Sequence, residues 1–166
     1  MKTKLKLIGG RKLSSPDNDY TRPTTLRVRE AIFNIISKRV ENSNWLDLFS
    51  GSGSISCEAY NHGAKKIIAI EKNKNNSKTC KKNLLSLQDA ENRKKDFEVI
   101  CKDVLIWTKP NYERNSSYKR INFDEEKFDF IYLDPPYGIN YHELVLNQIS
   151  NCDFIKKDSL VICEHS

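Results

Sequence analysis

Asp134, Pro135, Pro136 and Tyr137 follow one another directly after an apolar run, and their types could together activate an amine. The run Phe128-Asp129-Phe130-Ile131 reads as a buried strand of a parallel sheet. Two consecutive prolines cannot extend a ladder, because neither has an N–H and each restricts the residue before it. The strand is therefore expected to stop at Asp134, with a stiff turn beyond. Ligands of open α/β sheets sit just outside the carboxyl ends of strands, so Asp134 would face such a ligand with little freedom to move. An exocyclic amine on a nucleobase is a weak nucleophile, since its lone pair is delocalised into the ring. Asp134 and the Pro135 carbonyl, accepting its two hydrogens, favour the pyramidal form that attacks. The ring of Tyr137 would clamp the flat base by stacking. The plain alternative is a strand-ending Asp-Pro turn without chemistry.

A second set of residues could hold a nucleotide-like ligand. Trp45 to Ser50 reads as a buried strand, followed at once by Gly51-Ser52-Gly53-Ser54 and a helix through Glu58 and Ala59. Glycines between strand and helix let backbone approach a ligand closely. Ser56 stands where the dinucleotide fingerprint needs its third glycine, which argues against a pyrophosphate. Asp47 lies just before the loop. Glu71 ends the next strand, Lys65 to Ile70, 20 residues after Gly51, the spacing at which an acid meets ribose hydroxyls. Asp103 follows a strand at Phe97 to Cys101, where it would either bond an adenine amine or cap a short helix from Val104 to Trp107.

These residues need a scaffold, and the rest of the chain supplies one. Thr24 or Thr25 can cap a helix whose apolar face is expected at Val28, Ile32, Ile35 and Ile36, flanked by Ala31 and Phe33. Further helices are expected from Asn73 to Leu87 and His142 to Ser150, a last strand from Leu160 to Cys163, and a long surface loop from Lys109 to Lys127. Strands alternating with helices predict an α/β fold with a parallel sheet. With 166 residues the chain fits one domain, divided into a basic N-terminal extension and helix (1–40) and a ligand-binding unit (41–166).

Charge narrows the partner class. Residues 1–29 hold eight basic and two acidic side chains, whereas the remaining 137 hold 20 of each. The whole excess of +6 thus sits at one end, as expected of an arm that meets phosphate, with Arg11, Lys12, Arg22, Arg27 and Arg29 as candidates. A merely solvated basic tail is the bland reading. Mean hydropathy is −0.65 and no apolar run reaches membrane-spanning length. Five scattered cysteines without a C-x-x-C pair, and three scattered histidines, suggest reduced thiols and no metal in a cytoplasmic protein.

The order of strand, glycine loop, Glu71, Asp103 and D-P-P-Y resembles that of class I methyltransferases. The segments L-I-G-G-R-K-L, T-R-P-T-T-L-R-V-R-E-A-I-F-N-I and L-D-L-F-S-G-S-G-S closely resemble the RsmD family. That resemblance implies a Rossmann-like, doubly wound, mostly parallel sheet with helices on both faces. It implies transfer of methyl from S-adenosyl-L-methionine to the exocyclic N2 of a guanine in 16S rRNA of the small ribosomal subunit, by a monomer. Carried over by position, it makes Asp134, Pro135, Pro136 and Tyr137 catalytic, Tyr137 replacing a frequent phenylalanine. It makes Asp47, Gly51, Gly53, Glu71 and Asp103 cofactor residues, and sets Arg22, Pro23, Thr24, Arg27 and Arg29 toward cofactor and RNA. The stretch between Gly10 and Arg11 is shorter than in many relatives, so a trimmed basic hairpin is expected. The chain ends too soon for the closing β-hairpin usual after the fifth strand, so either a truncated sequence or an open sheet edge is expected. The rival readings are a DNA adenine or cytosine amino-methyltransferase, a non-catalytic RNA-binding ribosome-assembly factor and, more distantly, a nicotinamide oxidoreductase.

Overall fold

A computed structural model describes residues 5–15, 24–91, 96–109, 112, 127–136 and 141–164. In chain order the elements are α1 (Leu26–Val40), β1 (Asn44–Leu48), α2 (Ser54–Asn61), β2 (Lys66–Glu71), α3 (Lys74–Glu91) and β3 (Asp96–Cys101), then α4 (Val104–Trp107), β4 (Phe128–Leu133), α5 (Tyr141–Ile149) and β5 (Ile155–Cys163). The sheet order is β3-β2-β1-β4-β5, and all neighbouring pairs are parallel. The chain winds outward from β1 to β3, then returns to lay β4 against the other side of β1. That reversal makes β1 and β4 the switch point, where a crevice opens at the carboxyl ends.

Both sheet faces are covered, as the apolar strands require. Trp45, Ile67, Ala69, Phe130 and Tyr132 pack on one side with α1, α2 and α3. Leu46, Leu48, Ile68, Ile70, Ile131 and Leu133 pack on the other with Trp107, Val145 and Phe154. Leu5, Leu7 and Leu13 join the first cluster, so residues 5–15 share the core of the sheet. They fold back on themselves at Gly10, with Leu13 N donating to Leu5 O at 2.9 Å and a bridge between Lys6 and Lys12. All five cysteines are free thiols.

Two expectations need correction. Thr25 caps α1, its hydroxyl accepting from Val28 N at 3.3 Å, but the buried face runs through Arg29, Phe33, Ile36 and Val40. Ile35 is 83% exposed and Phe33 is core. The face was misplaced because a charged residue occupies the buried stripe, neutralised there by Glu58. The last strand begins at Ile155, five residues before its apolar run, because Ser159 Oγ donates to Phe128 O at 2.7 Å and accepts from Lys156 N at 2.8 Å. Those bonds close a bulge in which Lys156 to Ser159 stand out of register between the pairs Phe128–Ile155 and Phe130–Leu160. Most of the expected loop from Lys109 to Lys127 lies outside the described residues.

Candidate active site

A cavity of about 1070 Å³ opens at the switch point, lined by the glycine loop and by Asp47, Glu71, Asp103 and Asp134. Each of these carboxylates stands at or near the carboxyl end of a different strand. Pairing sets their level: Asp47 lies opposite Ala69 and Tyr132, and Glu71 opposite Cys101. Strand register therefore gathers residues that the sequence scatters over nearly 90 positions.

The loop is built from left-handed backbone. Phe49, Gly51 and Gly53 have φ of 66°, 54° and 80°. At Gly53, the N-cap of α2, a Cβ would lie 2.4 Å from Cys80 Sγ, so only glycine fits. Glu71 ties this loop to β2, accepting from Gly51 N at 2.8 Å and from Asn73 N at 2.6 Å. Burial pushes the Glu71 carboxyl up, and those N–H groups oppose it.

Asp47 is 1% exposed. Its Oδ2 accepts from Ser56 Oγ at 2.5 Å, while Oδ1 is buried with no partner. Burial pushes its carboxyl up to about 7; the Ser56 hydroxyl works against that, and the charges of Asp134 and Glu71 add to it. Asn76 Oδ1 and Ser50 Oγ are further buried polar atoms without a partner among the cavity residues. Three such orphaned oxygens in an acidic cavity fit a ligand that brings hydrogen-bond donors and positive charge. Ser56 was legible in the sequence only as a missing glycine; its hydroxyl in fact holds the acid of the adjoining strand.

Asp103 divides its oxygens. Oδ1 caps α4 by accepting from Leu105 N at 2.9 Å, and Oδ2 pairs with Lys72 Nζ at 2.7 Å. Burial pushes this carboxyl up, but the Lys72 hydrogen bond and the helix N–H groups prevail and leave it below the usual range.

Asp134 follows β4 as the two prolines dictate, with Pro135 buried and Pro136 exposed. Thr24 Oγ1 donates to its Oδ2 at 3.4 Å. Burial pushes Asp134 up to about 6, Glu164 adding to the effect and Thr24 and His142 opposing it. Glu164, which no sequence signal singled out, also lines the cavity and accepts from the Tyr132 hydroxyl at 2.5 Å. Tyr137 lies outside the described residues.

The basic candidates separate. Lys12 and Arg27 are exposed; Arg11 is half-buried and donates from Nη2 to Ser86 O at 2.7 Å. Arg22 and Pro23 lie outside the described residues. Arg29, expected to approach RNA, is only 1% exposed. Its guanidinium pairs with Glu58 at 3.3 Å and donates to the carbonyls of Thr24 and Lys6, so it faces inward and pins the segment ahead of α1 onto α2. Among the described residues, no group of three or more His, Cys, Asp or Glu side chains could hold a metal, and no helix is long and apolar enough to cross a membrane.

Residues 6–166 match the family described as conserved hypothetical protein 95. Over 157 residues the chain is 34% identical to ribosomal RNA small subunit methyltransferase D of Buchnera aphidicola, covering 95% of this chain and 73% of that one. The same-named protein of Haemophilus influenzae is 31% identical over 155 residues, 93% of this chain and 73% of its own. A solved Haemophilus influenzae structure, provisionally named a methylase, superposes with a TM-score of 0.72 at 27% identity, covering 97% of this chain and 81% of that one.

Proposed function

The chain belongs to the RsmD family (conserved hypothetical protein 95) and has the class I methyltransferase fold; from that premise we propose that it methylates the exocyclic N2 of a guanine in 16S rRNA of the small ribosomal subunit. S-adenosyl-L-methionine is the methyl donor, and the chain acts as a cytoplasmic monomer. The observation that carries this reading is the shared cavity. A buried acceptor on β1, Asp47 Oδ1, and the carboxylate of Asp134 after the neighbouring strand β4 line one space. Cation binding and amine activation thus stand side by side.

When bound, S-adenosyl-L-methionine supplies a methyl group activated by a sulfonium. The residues present fit it: Asp47 Oδ1 offers an acceptor to its cationic amino-acid end, directly or through water. Glu71 keeps lone pairs for ribose hydroxyls beside its two backbone bonds, since a carboxylate has about four acceptor positions. Asp103 Oδ2 is available to an adenine amine once Lys72 turns aside.

The target base is drawn out of its stack and held against Tyr137. Asp134 and the Pro135 carbonyl accept from the two amine hydrogens and point the nitrogen lone pair at the methyl. Most of the acceleration comes from this positioning. Asp134 need not be a strong base, because the amine becomes acidic as it acquires the methyl. Arg27 and Lys12 grip phosphate outside the cavity.

The test is methyl transfer from labelled S-adenosyl-L-methionine to unmethylated small subunits, read by nucleoside mass spectrometry. N2-methylguanosine at one position is expected, and Asp134→Ala should abolish it while cofactor binding persists. Methylated DNA with unmodified rRNA, or cofactor binding without any product, would overturn the reading.

A further inference from the structure

Four oxygens run in a row behind the acceptor site. Asp134 Oδ2 is 3.4 Å from Thr24 Oγ1, which is 3.4 Å from the Tyr132 hydroxyl, which donates to Glu164 Oε2 at 2.5 Å. Three segments meet here. Thr24 precedes α1, Tyr132 belongs to β4, and Glu164 follows β5. Glu164 N donates to Leu133 O at 3.0 Å, which extends the β4–β5 pairing by one residue and sets Glu164 level with Asp134. Thr24 and Tyr132 are buried, at 8% and 2% exposure.

Proton counting gives this row a property. Its three gaps hold two hydroxyl protons when both carboxylates are ionised. Thr24 then donates to Asp134 and Tyr132 to Glu164, so the gap between the hydroxyls stays empty. One added proton fills every gap. With that proton on Asp134, the donations run from Asp134 to Thr24, Tyr132 and Glu164; with it on Glu164, all three reverse. Loose contacts such as the two at 3.4 Å commonly tighten once a substrate is bound.

We propose that Thr24, Tyr132 and Glu164 form a proton relay, passing to Glu164 the proton that Asp134 takes from the newly methylated amine. It rests on the methyltransferase reading above. The nitrogen forms a bond to the methyl carbon as the carbon–sulfur bond breaks, and the sulfonium becomes a neutral thioether. The nitrogen then gives one proton to Asp134 Oδ2. Three hydrogen bonds reverse in sequence, one proton reaches Glu164 Oε2, and water removes it. Asp134 is ionised again, and nothing else is consumed. The relay lets Asp134 discharge while the base still covers it, through a carboxylate that follows β5.

The groups facing Asp134 are Thr24 ahead of α1, Tyr132 on β4, Asp47 on β1, Glu164 after β5 and His142 on α5. Burial, with Glu164 adding to it, keeps Asp134 a better proton acceptor than an ordinary aspartate.

The test is a titration of the full chain with ¹³C-labelled carboxyl carbons, followed by NMR without cofactor. In the wild type, the labelled carbon of Asp134 should report two macroscopic steps, as a site coupled to a neighbouring carboxylate does. Tyr132→Phe keeps the ring and removes one link but leaves the Glu164 charge that also acts on Asp134, so the two steps should move closer together. Glu164→Gln removes the coupled partner and should leave Asp134 with one step, at lower pH, and serves if Tyr132→Phe does not fold. With labelled cofactor and small subunits, Tyr132→Phe should lower kcat about tenfold and shift the acid limb of its pH profile, with KM for the cofactor unchanged. A single step at Asp134 in the wild type, a step separation unchanged by Tyr132→Phe, or a kcat profile unmoved by both variants would overturn the relay. Shared steps in a chain that leaves rRNA unmodified would support the relay and overturn the guanine reading instead.

Discussion

Gly51 donates its backbone N–H to Glu71 Oε2 at 2.8 Å, so the end of β2 holds the loop that follows β1. The acid proposed to face the ribose therefore also shapes the loop proposed to lie under the cofactor. Glu71→Ala should weaken cofactor binding at least tenfold, because a charge-assisted bond of about 1.5–3 kcal/mol is lost along with any contact to the ligand. Glu71→Gln keeps an acceptor for Gly51 and should recover part of the affinity. Calorimetric titration with S-adenosyl-L-methionine distinguishes the two; equal losses would show that the loop does not depend on this bond.

With its carboxyl pushed up to about 7, Asp47 should make stability and the proposed cofactor binding respond to pH in opposite directions. Its folded pKa lies above the unfolded value of 3.8, so between those values the folded chain binds more protons than the unfolded one. The favourable contribution is complete below about pH 4 and is lost as pH rises to about 7, on the order of 4 kcal/mol in all. A cationic ligand prefers the ionised carboxylate, so its affinity should rise up to tenfold per pH unit from 5.5 and level off above 7. Thermal melts with and without S-adenosyl-L-methionine measure both trends. A flat ligand-induced shift across this range would mean that Asp47 does not sense the cation.

At Gly53 both backbone and space are committed. Gly53→Ala sets a Cβ against Cys80 Sγ at a φ of +80°, which should cost at least about 2 kcal/mol. For a chain of this size that is a drop in Tm of roughly 4–8 °C. Adding Cys80→Ala removes the Sγ clash but leaves Cβ and Cα of residue 80 at 3.1 and 3.2 Å and the left-handed strain, so the double variant should regain only part of the loss. Full recovery would place the whole cost in the contact.

Arg29 and Arg27 should fail in different assays. Arg29→Ala leaves Glu58 buried without its cation and should destabilise the fold by about 3–5 kcal/mol, as seen in denaturant melts. Arg27→Ala should leave stability unchanged, weaken RNA binding and lower the slope of log affinity against log salt by about one. A melt unchanged by Arg29→Ala would contradict the inward assignment.

The corner after β4 was legible because two prolines end a strand wherever they occur, and Glu71 because a strand of ordinary length separates it from the loop. Helix α4 was legible as a capping alternative for Asp103, which the structure shows in use. Ser56, Tyr132 and Glu164 were not. Tyr132 and Glu164 are 32 positions apart, and only the β4–β5 register makes them neighbours. Arg29 misled for a related reason. Periodicity counts apolar residues, and a guanidinium with a buried acid and two carbonyls to bond can occupy a core position that no hydropathy pattern reveals.

The sheet order also favours one sequence of assembly. β1, β2 and β3 join through consecutive short crossovers, whereas β4 must return to β1 across a separation such as the 85 residues between Asn44 and Asp129. Closing the longer loop carries the greater entropic penalty, so the three-strand half can condense first and serve as the template on which β4 zips. β5, whose only strand partner among the described residues is β4, joins after it. The half proposed to grip the donor can thus form before the half proposed to present the acceptor.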